Sequence, residues 1–154
     1  MITYAGIKKI LNWFVGKTYR GNYLYAALSS TEPTIAGANV TEPAATSYGR
    51  VLIAKGVESN QNPYSAFGTP SDTLKGSSVA NDKQIYFPET FNSATQVVED
   101  WGELKYICIF DSETGGELIA FQELPETIHP GANNESTIPI IRIGDAIFTI
   151  SNPD

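Results

Sequence analysis

The chain has 154 residues, 42% of them hydrophobic and 11% aromatic, with a formal net charge of -7 and a sequence pI near 4.6. That length and apolar content suit one globular unit, 1–154, with a core that needs neither disulfides nor metal. The acidic balance argues against a nucleic-acid partner, since phosphate binding demands clustered Lys and Arg, and no stretch approaches the roughly 18 apolar residues of a membrane span.

The spacing of Tyr4, Ile7, Leu11 and Phe14 predicts an amphipathic helix over 3–15, with Lys8, Lys9 and Asn12 turned elsewhere. Thr3 is placed to cap its N-terminus and Gly16 to end it. Trp13 projects away from the centre of the apolar face, either packing on the flank of the unit or docking a neighbouring subunit. The residues ahead of the helix lack the charged, apolar and small-residue order of a secretory leader, so none is expected. Asn22 to Ser29 then alternates apolar residues on both sides, as a strand covered on both faces does. Ser30 to Ser47 is loop chemistry, and Tyr48 to Ala54 reads as a second strand. Lys55 to Lys83 is polar and rich in Ser, Asn, Gly and Pro, which predicts a long loop that Tyr64 and Phe67 pin to the surface. Gln84 to Phe87 is a short strand stopped by Pro88.

Trp101 to Leu124 reads as a hairpin turned at Asp111 to Gly116. Ile138 to Ile143 and Ala146 to Ser151 add two extended segments. The expected fold is mainly β, a sandwich of about six to eight antiparallel strands over 22–151 with the helix covering one end or face. Within the hairpin, the strand from Leu104 to Phe110 is apolar on both sides near the turn, so Ile107 and Ile109 need a cover. The candidates are the N-terminal helix, which is favoured, and a second copy of the chain. Trp13, Ile107 and Ile109 are accordingly the candidate subunit-contact residues.

The residues offer little chemistry. Cys108 is the one cysteine and sits between Ile107 and Ile109, where it behaves as a small hydrophobe. His129 is the one histidine and has no second histidine to join it in metal binding. There is no phosphate-cradling loop, H-E-x-x-H, C-x-x-C or G-x-S-x-G motif. The carboxylates around the turn at Asp111 invite a calcium reading, but a plain hairpin turn fits the flanking strands better. No catalytic residue, cofactor or metal ligand is therefore assigned. Tyr19, Tyr64 and Trp101 are the aromatic residues to test for stacking on a sugar.

The order of several phrases resembles a known family. Asn12-Trp13-Phe14-Val15-Gly16 ends the helix, and Tyr23-Leu-Tyr-Ala-Ala-Leu-Ser-Ser-Thr-Glu-Pro33 follows. Val40-Thr-Glu-Pro43 leads to Tyr48-Gly-Arg-Val51; later come Ile85-Tyr-Phe-Pro88, Trp101-Gly102, Ile109-Phe-Asp-Ser-Glu-Thr-Gly-Gly116 and Ile143-Gly-Asp-Ala-Ile-Phe-Thr-Ile150. Together they are similar to the small virion proteins of tailed bacteriophages labelled tail fibre or minor tail proteins. The resemblance implies a non-enzymatic structural component, tail-associated or fibre-like, made in the host bacterial cytoplasm and built into the virion. It implies self-association, with a trimer favoured, and docking to other virion proteins. A capsid decoration or head-fibre protein is the alternative placement. A carbohydrate-binding module for a host-surface glycan is the alternative of another class.

Overall fold

The structure, a computed structural model, describes residues 1–15, 23–55, 64–73 and 76–151. Its single α-helix among these, α1, spans Tyr4–Phe14. The strands β1 (Tyr23–Ser29), β2 (Val51–Lys55) and β3 (Tyr64–Ser65) follow. Next come β4 (Ser71–Thr73), β5 (Gly76–Ala80), β6 (Ile85–Tyr86), β7 (Phe91–Asn92) and β8 (Val97–Val98). The long hairpin is β9 (Leu104–Phe110) and β10 (Leu118–Ile128), and β11 (Ile140–Ile141) and β12 (Ile147–Ser151) come last. The plan is mainly β and sandwich-like, with antiparallel pairing throughout the described strands and one N-terminal helix.

The largest sheet runs β10-β9-β1-β2-β3. β1 occupies its centre because its apolar residues alternate onto two dry faces. Ala26 and Leu28 enter the main core, while Ala27 enters a second cluster on the opposite side. The register sets Ala27 against Cys108 and Leu28 against Ile107. Fully burying a Leu or Ile side chain stabilises by about 1.5–3 kcal/mol, so Leu28, Ile53, Leu104 and Ile107 carry much of the fold. The smaller sheets β11-β6 and β12-β5-β4 supply the second layer. On the outer face, Val40 packs against Ala27, Cys108, Phe110, Leu118 and Phe121. The loop carrying Val40 is tied down where the Ser30 amide donates to the Thr41 carbonyl at 3.0 Å and the Thr41 amide donates to Ser29 Oγ at 3.0 Å.

This arrangement corrects the expected cover of Ile107 and Ile109. They are 0% and 4% exposed and belong to one buried cluster with Ile53, Ile85, Phe87 and Ile141. The second layer of the same chain therefore covers them, and neither α1 nor another copy is required there. The predicted loop from Lys55 to Lys83 also changes: β3, β4 and β5 fall within it, and 56–63 and 74–75 lie outside the described residues. β5 lacks an apolar alternation of its own. Its ladder comes from β12, with Val79 opposite Phe148 and Ser77 opposite Ile150.

Residues 1–3 run along the free edge of β10. Ile2 bridges Ala120, the Thr3 amide donates to the Ile119 carbonyl at 2.9 Å, and the Phe121 amide donates to the Met1 carbonyl at 2.9 Å. Thr3 then caps α1 as its position predicts: its Oγ1 accepts from the Gly6 amide at 3.1 Å and its hydroxyl donates to the Leu118 carbonyl. The predicted stop at Gly16 lies outside the described residues.

Candidate interaction surface

The side of α1 that meets the β-body carries Thr3, Gly6, Lys9 and Ile10. Thr3 and Gly6 are buried, and Lys9 and Ile10 are half-buried. A Cβ at Gly6 would stand 2.3 Å from the Ile119 carbonyl oxygen, so the close approach of helix to strand depends on glycine. One turn on, Lys9 Nζ lies 2.8 Å from Asp111 Oδ2 and 3.0 Å from Glu117 Oε2. These hydrogen bonds, to Asp111 first and Glu117 second, raise the Lys9 pKa. Partial burial works against ionisation of Asp111, but the bonds from Lys9 and the Glu117 amide still hold its carboxyl below the ordinary range. Such partly exposed pairs are each worth about 0.2–1 kcal/mol, enough to orient the helix without fixing it alone.

The consequence is that the predicted apolar face of the helix points outward. Tyr4, Ile7 and Leu11 are 63%, 46% and 57% exposed, and Val15 continues the line. Ile35 is also exposed, and its turn is joined to the start of the helix through the Tyr4 amide, which donates to the Ile35 carbonyl at 3.0 Å. The periodicity of the helix is as the sequence predicts; its direction is opposite to the expected docking on the sheet.

The hairpin turn has its own ions. Arg50 stacks over the Phe110 ring, 3.6 Å from guanidinium carbon to centroid. It donates through Nε and Nη2 to the Glu42 carboxylate, and through Nη1 to the carbonyls of Ser112 at 3.0 Å and Gly115 at 2.6 Å. Glu42 also accepts from the Tyr48 hydroxyl at 2.9 Å, while that hydroxyl accepts from the Leu28 amide at 3.0 Å. Burial pushes the Tyr48 phenol pKa well up, so it remains a donor. Of the carboxylates that suggested calcium, Asp111 and Glu117 are engaged by Lys9, and Arg50 takes two carbonyls of the turn, which supports the turn as a structural one.

The other predicted site residues are dispersed. Trp101 is 5% exposed, meets Tyr48 edge-on at 5.2 Å between ring centroids, and donates from Nε1 to Ser47 Oγ at 2.9 Å. It is a core residue with no ring face free for a sugar, which corrects its reading as a glycan contact. Tyr19 lies outside the described residues. Tyr64 begins β3 and Trp13 lies in α1, but their side chains are outside the description. Cys108 is buried, and burial pushes its thiol up to about 12. His129 Nε2 is 2.8 Å from Asp100 Oδ1, whose carboxyl is held low by the Gly102 amide and then by His129. Among the described residues no group of three His, Cys, Asp or Glu side chains is arranged to hold a metal ion.

A family model described as Podophage GP4 fiber I protein gp80 matches residues 1–144. The chain belongs to this podophage fibre family. No curated protein matches it. The match spans α1, the exposed stripe and the whole hairpin, and stops just before β12. This agrees with the resemblance to phage tail fibre proteins, and it makes the fibre protein a structural component of a phage particle.

Proposed function

We propose that this fibre protein is a non-enzymatic, tail-associated virion component that works by self-association, as a trimer, and by docking to other virion proteins. It is made in the host cytoplasm and carried in the particle. The observation that carries the reading is apolar surface left uncovered outside a closed core. Among the described residues every buried side-chain polar atom has a hydrogen-bond partner, and both faces of the central sheet are covered from within the chain. Outside that core, α1 presents Tyr4, Ile7 and Leu11 to its surroundings, and the body presents Ile138, Ile143, Ile147 and Ile150. A closed core with apolar side chains left outside it suits a part meant to be joined to others.

Locating the copies in a cryo-EM reconstruction of the virion tests the placement. Copies at the tail or its fibres, in multiples of three, are expected. A copy number in the hundreds spread over the capsid would instead establish a decoration protein.

A further inference from the structure

Among the described residues β11 is paired on one side only, with Ile140 opposite Tyr86 and Ile141 opposite Ile85 on β6. The Phe87 amide donates to the Pro139 carbonyl at 2.9 Å, so the bonds to β6 run through Pro139 and Ile141. The alternation of a strand turns the amides and carbonyls of Ile138 and Ile140 the other way, where no described residue pairs with them. Just past them the edge is closed, because the Arg142 carbonyl accepts from Asn81 Nδ2 at 2.8 Å.

A groove of about 290 Å³ lies beside this edge. Its other wall is Leu124, Pro125 and Ile128, where β10 slips out of register with β9 between Glu123 and Ile128. Ile138 and Ile140 are 52% and 39% exposed, so apolar side chains flank the unpaired backbone groups.

Two features choose the occupant. No aromatic ring lines the groove, so it lacks a platform on which a sugar could stack. Unpaired backbone along an apolar trough is instead what an added strand uses: main-chain bonds hold it, and the trough reads its alternate side chains. At the rim Glu126 and Asp145 outnumber Arg142, which stands 4.0 Å from Glu126 in a solvent-exposed pair. That balance favours a segment that brings a cation.

We propose that the β11 edge at Ile138 and Ile140 takes up an extended segment of another virion protein as an added strand. The segment is apolar at alternate residues and carries a Lys or Arg. The inference rests on the reading that this chain docks to other virion proteins, and it assigns that docking a surface and a mode.

Amide NMR of the full chain tests it, with a short capped peptide of alternating isoleucine and threonine around a central lysine as the probe. The Ile138 and Ile140 amides are expected to shift and to exchange more slowly with solvent. Ile140→Pro removes an outward N–H and spares the bonds to β6, and should weaken binding by about tenfold. A peptide with its backbone amides methylated should not bind, and one with glutamate for lysine should bind less well. Leu11→Glu and Ile143→Glu, outside the groove, should leave binding unchanged. In assembled virions, a benzophenone side chain in place of Ile138 is expected to crosslink to a different virion protein.

Unmoved Ile138 and Ile140 amides at millimolar peptide would overturn the site, as would binding that survives amide methylation. A crosslink only to another copy of this chain would overturn the choice of partner. The cryo-EM reconstruction reads the virion placement separately, so each of these failures leaves that placement standing.

Discussion

Gly6 and the Ile119 carbonyl approach so closely that an added methyl group at Gly6 would sit 2.3 Å from the oxygen. Alanine normally favours a helix over glycine by about 1 kcal/mol. Here the clash should reverse the sign: Gly6→Ala is expected to destabilise by about 1–3 kcal/mol, as overpacking does. Urea unfolding measures it. A stabilised variant would mean that α1 does not rest on β10.

Arg50 joins Glu42, the turn at Ser112 to Gly115 and the Phe110 ring. Arg50→Met would leave the Glu42 carboxylate and two carbonyls without this partner, at a cost of about 3 kcal/mol. Arg50→Lys keeps the charge but loses the planar fork and the stack, and should recover less than half of that. Amide exchange in the turn should accelerate in both variants while the centre of β1 stays protected.

Glu99 provides a pH signature. Hydrogen bonds from the Ser47 hydroxyl, the Thr46 hydroxyl and the Ser47 amide hold its carboxyl down to about 2, from an ordinary 4.5. A depressed carboxylate stabilises fully above its unfolded value and loses that contribution as pH falls through the folded one. Thermal stability should therefore decline between about pH 4.5 and pH 2, and Glu99→Gln should flatten that limb. An unchanged slope in Glu99→Gln would assign the decline to other carboxylates.

Cys108 should be inert while the chain is folded. With its thiol pushed up to about 12 and its side chain buried, a disulfide reagent at pH 8 should label it only after unfolding in guanidinium. Rapid labelling of the native protein would place the cysteine at an opening in the sheet.

The long, periodic elements were legible in the sequence. The 3–4 spacing of Tyr4, Ile7 and Leu11 marks α1, and the doubly apolar run from Ile107 to Phe110 marks a strand buried on both faces. The partners of those surfaces were not legible, because they depend on residues remote in the chain. Ile107 and Ile109 share one buried cluster with Ile85, Phe87 and Ile141, which come from two-residue strands or their flanks and carry no periodicity. β5 is Ser- and Gly-rich and takes its conformation from β12. With the core closed from within, the apolar side of α1 has nothing left to cover, and the surface candidate passes from Ile107 and Ile109 to Tyr4, Ile7 and Leu11. Trp101 misled for a local reason: its flanking Asp100 and Gly102 look like loop, while the ring turns inward to Tyr48.

The bridge of Ile2 to Ala120 closes an exposed strand margin just ahead of the stripe. An open margin is a template for further strands, and here the chain's own residues 1–3 occupy it. The opening residues therefore act as a guard on the hairpin, and a deletion that strips 1–3 is expected to leave β10 open to strand addition.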